Sequence, residues 1–551
     1  MSDKQRQLFK TKVVPGKPGS GKLFEEELVT NNRPVECLGM TFENDEKRRK
    51  YFLEKLREKL KDPEFRKIEG FPIGEDEDIL ALSDPPYYTA CPNPFIGDFI
   101  QQYGKPYDPN VPYSKEPFAS DVSEGKNHPI YNAHSYHTKV PHKAIMRYIL
   151  HYTEPGDVVF DGFCGTGMTG VAAQMCGDRA TVESLGYQVK PEGTILRQEK
   201  DGNGKSVWVP FSILGIRRAV LNDLSPAATF IAYNYNTPVD VVAFERGAKR
   251  ILKEFEKKTK WMWETIHSDG KTVGKINYVV WSEVYSCPEC TSAVVYYKEA
   301  FRENNGKVVY TPEFKCPSCG SLCAKSPSRK LLAQKLERLF TTVNDDYLGE
   351  IVKKQKRVPI LINYSIGTKR HEKELDNEDI CIISKIGRIS ASNVIPTNRM
   401  PKGDEARRND DEGITNTHHF YTERILASIV ALTELVQGHS QLNFLIGSML
   451  PKLTIMNRYM PQHGGRALVG PMANTLYVPP VSVENNVIDQ LWFQFKKIVK
   501  ALNSLKGSLI STQAVQQIHV PDNSADYSGV HRIYPAIRRA SFSKKTEDDS
   551  F

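Results

Sequence analysis

Three groups of residues in this 551-residue chain have the types and spacing to do chemistry. The first is Asp84-Pro85-Pro86-Tyr87. A carboxylate and the carbonyl of Pro85 stand there as neighbouring hydrogen-bond acceptors, the prolines fix φ, and Tyr87 adds a flat aromatic face. The second is Asp161-Gly162-Phe163-Cys164-Gly165-Thr166-Gly167. Its glycines allow a tight turn and close approach of a ligand, and a helix starting behind them would present unpaired N–H groups to an anionic group. The third is a pair of knuckles, Cys287-Pro288-Glu289-Cys290 and Cys316-Pro317-Ser318-Cys319. Four thiolates so arranged suit a closed tetrahedral site for structural Zn2+, and Cys323 is a spare.

The elements that must position these groups follow from local pattern. Ile79-Leu80-Ala81-Leu82 reads as a short strand ending at the prolines, which cannot continue a central strand. Residues 46–62 read as a surface helix, and residues 141–152 as a helix with proline at its start. Asp157-Val158-Val159-Phe160 reads as a buried strand feeding the glycine loop and a small-residue helix, Met168 to Met175. Glycine- and lysine-rich sequence at 178–210 predicts a hairpin insertion, after which Arg218 to Asp223 resumes the alternation as a strand ending in an acid. A charged helix is expected over 241–260, and amphipathic helices over 421–436 and 487–505. Val294–Tyr297 and Val308–Tyr310 alternate like ribbon strands, and residues 398–417 read as a polar loop or linker.

Together, Leu82-Ser83-Asp84-Pro85-Pro86-Tyr87-Tyr88 and Val158-Val159-Phe160-Asp161-Gly162-Phe163-Cys164-Gly165-Thr166-Gly167 resemble the catalytic and cofactor loops of DNA amino-methyltransferases, in the permuted order with the catalytic half first. The resemblance implies an α/β fold: a doubly wound, Rossmann-like methyltransferase sheet, here with an inserted zinc ribbon and an additional α+β recognition region. It implies that S-adenosyl-L-methionine is the methyl donor, lined by Asp161, Phe163, Gly165 and Gly167. Tyr136-His137-Thr138-Lys139-Val140-Pro141 resembles the segment that helps close the methionine pocket, which adds Thr138 and Lys139. Asp223 stands where an acid holds the ribose hydroxyls, displaced in sequence by the 178–210 insertion; the other reading is a cap for the helix beginning near Pro226. Asp84, Pro85, Pro86 and Tyr87 would form the catalytic loop. An exocyclic amine is a poor nucleophile, and Asp84 with the Pro85 carbonyl would draw on its hydrogens while Tyr87 stacks a base removed from the duplex. Adenine N6 is favoured over cytosine N4, because Asp-Pro-Pro-Tyr is commoner among adenine enzymes.

The bulk properties agree with such a protein. The length calls for several domains, and the boundaries expected are 1–69 (arm and helix), 70–240 (methyltransferase core), 241–345 (zinc ribbon), 346–480 (target recognition) and 481–551 (helix and irregular tail). The net charge of +8 suits a polyanionic partner, taken to be double-stranded DNA, with a restriction or phage-defence partner also in view. Ten cysteines in a chain without a signal peptide or membrane-length apolar run point to a reducing, cytoplasmic setting and no disulfide framework. In the recognition region, Asn457, Arg458, Tyr459, His463 and Arg466 combine basic and aromatic side chains around glycines. His418-His419 has no acid or cysteine nearby in sequence to complete a metal site, and reads as capping or packing. Val520 to Tyr527 resembles the lead-in to a second Asp-Pro-Pro motif, which the sequence does not contain. A truncated or frameshifted member of a longer family is therefore expected, and the competing function is an inactive DNA-binding protein that keeps the cofactor pocket and zinc ribbon.

Overall fold

The computed structural model describes residues 34–505 apart from 69–70, 73–74, 107, 137–138, 328–332, 387–394, 437–439 and 473–474, together with the backbone of 464–466 and 514–517. The expected N-terminal arm, Thr138, the Arg466 side chain and the tail beyond 517 lie outside the described residues.

The cofactor half is built on three parallel strands, with Arg218–Asp223 between Val158–Asp161 and Ala514–Gln517. Ala219, Val220 and Leu221 are all buried, as a parallel strand covered on both faces requires. Helix Met168–Met175 packs on this strand, and the arm of the molecule carrying Phe99 meets it through Val220. Val158–Asp161 is less buried than its sequence predicts: Phe160 is 69% exposed. Among the described residues its outer edge pairs with no strand. The 178–210 insertion is an antiparallel meander of Gln188–Val189, Thr194–Lys200 and Ser206–Ile213. It leaves the pairing of Val158–Asp161 with Arg218–Asp223 intact, which brings Asp223 back to the glycine loop despite the distance in sequence.

The proline loop sits on a separate small core. Residues 79–82, expected as a strand, lie in helix Asp76–Leu82. Asp76, Glu77 and Asp78 fill its first turn, where negative charge complements the helix dipole, and a four-residue apolar run cannot by itself distinguish strand from helix. Asp84 therefore leaves a helix and joins no sheet; its backbone pairs only with Tyr88 in an isolated bridge. Helix Asp45–Lys59, capped by the Asn44 side chain, lies alongside and turns Arg48, Phe52 and Leu56 inward.

The remaining body is a nine-stranded antiparallel sheet in which Val273–Ser286 is flanked by Arg357–Ile366 and Val481–Asn485. This pairing crosses the boundary expected at 345/346, so ribbon and recognition region share one sheet. Helices Val241–Thr259, Glu423–Val436 and Val487–Leu505 form where the 3.6-residue period predicts them. The segment 398–417 is not a simple linker. It contains helix Asp404–Asp410 and buries Met400, Ala406 and Ile414 against Phe420, with Asn409 donating to the Leu476 carbonyl at 3.0 Å.

Candidate functional site

At the glycine loop, positive φ at Gly165 (53°) and Gly167 (71°) turns the chain sharply from strand into helix. A Cβ at Gly167 would stand 2.6 Å from that of Ala232, so only glycine lets the loop seat on helix Pro226–Asn236. Asp161 is fixed by its own loop: Oδ1 accepts from the Phe163 N–H at 3.1 Å and Oδ2 from the Thr169 hydroxyl at 2.5 Å. Asp223 answers to both of its readings. Oδ1 accepts from the Ser225 N–H at the helix start and Oδ2 from the Gly165 N–H, each at 2.9 Å. Burial raises the Asp223 carboxyl above its ordinary range, and those backbone donors oppose the rise.

Two features of the loop fit a polar ligand with an apolar part. Thr166 Oγ1 and Asn222 Oδ1 are buried without a hydrogen-bond partner, and Phe163 is 79% exposed at the loop's tip. Tyr136, which the sequence reading did not single out, lies against Gly165, 3.4 Å from where a Cβ would be. Lys139 is turned to a structural task. Its ammonium donates to the carbonyls of His134 (2.6 Å) and Tyr131 and lies over the Tyr131 ring, which holds the 131–139 segment together.

At the proline loop, the Asp84 carboxylate and the Pro85 and Pro86 carbonyls are all engaged. Arg48 Nη1 donates to Asp84 Oδ1 at 2.8 Å and to the Pro85 carbonyl at 2.7 Å. Tyr233, on the helix that follows Asp223, donates its hydroxyl to Asp84 Oδ2 at 2.9 Å, and Tyr88 stacks on the Tyr233 ring. This helix thus joins the proline loop to the cofactor half. Asn93 donates to the Pro86 carbonyl at 2.9 Å and holds the turn. Tyr87 is 6% exposed, in a core with Cys37, Phe52 and Phe95, and the Arg48 guanidinium lies over its ring at 5.0 Å. Burial opposes the charge of Arg48, but Asp84 and Asp45 more than offset it and raise its pKa. Arg48 was missed in the sequence, though it sits in register with Phe52 and Leu56, a cation on an apolar stripe.

The knuckle thiols converge. Cys287 Sγ lies 3.7 Å from Cys319 Sγ, and Cys290 Sγ 3.7 Å from Cys316 Sγ, with all four sulfurs within 4.8 Å of one another. Thiolates about 2.3 Å from a tetrahedral zinc would be separated by about 3.8 Å, so the set fits that ion. Strand Ala293–Val295 and hairpin Glu313–Lys315/Leu322–Ala324 carry the knuckles; Tyr296 and Tyr297, expected in a ribbon strand, begin the helical turn Tyr296–Ala300.

A second cluster forms around His418-His419, where the His419 side chain caps the turn Thr417–Phe420, as the capping reading expects. Asp345, remote in sequence, supplies the missing acid: its Oδ2 lies 2.9 Å from His418 Nε2 and 2.8 Å from His419 Nε2. The hydrogen bonds nevertheless argue against a metal. His419 Nδ1 accepts from the backbone N–H groups of Thr415 (3.1 Å) and Asn416 (3.3 Å), so its proton is on Nε2, which donates to Asp345 and has no lone pair for an ion. Lys354 also donates to Asp345, at 3.1 Å. Burial pushes both imidazoles down, His419 to about 4, so they are neutral donors rather than partners in ion pairs. Of the expected base-reading residues, Asn457 and Tyr459 are buried and Arg458 donates to the Gly470 carbonyl at 3.2 Å.

Residues 32–195, which include both loops, match a protein-family model described as DNA methylase, covering N6 and N4 enzymes. Over that span the chain is similar to DNA methylases. No curated protein and no solved structure matches it. Among the described residues, no helix is long and apolar enough to cross a membrane.

Proposed function

We propose that the chain transfers a methyl group from S-adenosylmethionine to the exocyclic N6 amine of adenine in double-stranded DNA, with cytosine N4 as the alternative acceptor. The single observation that carries the reading is the convergence of Asp84 Oδ1 and the Pro85 carbonyl on one sp2 nitrogen, Arg48 Nη1, at 2.8 and 2.7 Å. A base amine is also a planar NH2 with two hydrogens, and both acceptors would pull its nitrogen toward a tetrahedral, nucleophilic form. Pro86 keeps the loop rigid, and Tyr87 would back the base. The residues at 161–167 fit the cofactor, whose sulfonium supplies the reactive methyl: Asp161, Phe163, Gly165 and Gly167 would line it, Asp223 would take the ribose hydroxyls, and Lys139 would steady the covering segment. Thr138 is assigned there by sequence alone.

We assign Zn2+ to Cys287, Cys290, Cys316 and Cys319, as a structural ion that ties the knuckles to the long strand Val273–Ser286. Purified protein is then expected to hold about one zinc per chain, and a content well below that would overturn the assignment. A protein that binds DNA and cofactor but transfers nothing is the second reading, and the same Arg48 contacts favour it, because they fill the acceptors. Incubation of mixed-sequence duplex DNA with labelled cofactor, followed by nucleoside digestion, separates the readings. Label in N6-methyldeoxyadenosine supports the proposal, label in N4-methyldeoxycytidine moves it to the alternative, and no label in DNA refutes it.

A further inference from the structure

The side chain of Arg48 has the chemistry of a substrate rather than of an ordinary tie. Its guanidinium is planar, lies over the Tyr87 ring at 5.0 Å, and gives both acceptor contacts from one nitrogen. We infer that Arg48 is a placeholder for the target base: it keeps the slot between Asp84, the Pro85 carbonyl and Tyr87 folded, and a base bearing an exocyclic amine takes the slot by displacing it. The inference rests on the reading of Asp84 and Pro85 as the acceptors of the methylated amine.

Two observations make displacement feasible. Asp45 accepts from Arg48 Nε at 3.0 Å and from Nη2 at 2.8 Å, and its own side chain is 56% exposed. A guanidinium that leaves the slot by turning about this surface carboxylate keeps an anionic partner throughout, while Asp84 keeps the Tyr233 hydroxyl at 2.9 Å and Arg49 Nε at 3.9 Å. Lys47, Arg49 and Lys50 are exposed on the same first turns of helix Asp45–Lys59, and Arg49 reaches the rim of the slot by donating to the Ser83 carbonyl at 3.2 Å. A nucleic-acid phosphate drawn to this cluster would offer Arg48 a second anion outside the slot while holding the target nucleotide beside it.

The exchange can be read without knowing the recognition sequence. Binding of oligo(dA) and oligo(dT) to the full chain is measured by fluorescence anisotropy for the wild type, Arg48→Met and Arg48→Lys. Methionine keeps the aliphatic packing and removes the donors. Adenine carries the amine and thymine does not, so Arg48→Met should bind oligo(dA) about tenfold tighter than the wild type with oligo(dT) unchanged, the scale of one stacked, hydrogen-bonded base. Adding Asp84→Asn should cancel the gain. Arg48→Lys retains a single point donor and should show a smaller gain, which keeps the test readable if the methionine variant does not fold. A folded Arg48→Met protein with equal changes for both oligonucleotides, or with none, would overturn the placeholder role. Methyl transfer to duplex DNA, measured in parallel, keeps the two claims apart. Base-selective gain without transfer refutes only the enzyme reading, and transfer by the wild type without base-selective gain refutes only the placeholder.

Discussion

The glycine loop at 161–167 and the proline loop at 84–87 each offer an aspartate and an aromatic ring, yet they meet their surroundings in opposite ways. Phe163 projects into solvent and Thr166 Oγ1 has no partner, whereas Tyr87 is packed in a core and both Asp84 oxygens are held by Arg48 and Tyr233. The first loop is shaped by backbone conformation and leaves the Phe163 ring and the Thr166 hydroxyl uncommitted. The second is shaped by side-chain contacts that use the very atoms its chemistry needs. Substitutions in the first should therefore disturb binding more than folding, and in the second the reverse.

The largest expected effect is on the proline loop. Asp84→Ala leaves the Arg48 cation, 2% exposed, with Asp45 as its remaining carboxylate partner and removes its buried one, and chemical denaturation should show a loss of about 3 kcal/mol or more. A loss under about 1 kcal/mol would mean that Asp45 alone suffices to hold Arg48. Gly167→Ala is the change in the glycine loop that should blur the contrast. Its Cβ collides with that of Ala232 at 2.6 Å, in a left-handed conformation, and about 2–3 kcal/mol of stability should go with it. Asp223→Ala should instead cost about 1 kcal/mol in denaturant melts while weakening S-adenosylmethionine binding, read by calorimetry, by about tenfold or more. Phe163→Ala should leave stability within about 0.5 kcal/mol, as at an exposed surface site, and weaken the cofactor only several-fold.

Acid should also act unevenly. His142, at the start of the helix that leads to the glycine loop, is fully buried with neither ring nitrogen bonded, and burial pushes it down to about 3. Its folded pKa lies below the unfolded value near 6.5, so the unfolded chain binds more protons between these limits. The resulting stability is complete above about pH 6.5 and is lost as pH falls toward 3. His419, pushed down to about 4, adds to the loss in the same direction. Thermal melts should fall steadily from pH 7 to pH 5, and His142→Leu should flatten that slope. An unchanged slope would remove His142 from the account.

What the sequence made legible was local. Glycine spacing located the sharp turn at Gly165–Gly167, the paired Cys-x-x-Cys knuckles located four convergent thiols, and the 3.6-residue period located helices Glu423–Val436 and Val487–Leu505. Local pattern misjudged Ile79 to Leu82, where acidic residues at 76–78 signalled a helix start that the apolar run obscured. It could not reach contacts made across the chain. Asp345 is remote from His418 and His419, and Arg48 from Asp84, so the atoms that satisfy these groups are set by tertiary packing. For Arg48 a signal did exist, in its register with Phe52 and Leu56 on helix Asp45–Lys59.

The most direct test of the central claim is transfer of deuterated methyl from S-adenosylmethionine to duplex DNA by the full chain, read by mass spectrometry of the digested nucleosides. Asp84→Asn, which retains a neutral acceptor for Arg48, is run beside the wild type. Labelled N6-methyldeoxyadenosine is expected with the wild type, and its loss with Asp84→Asn while cofactor binding persists. Label that survives undiminished in Asp84→Asn, or a wild type that binds cofactor and leaves DNA unlabelled, would contradict the claim.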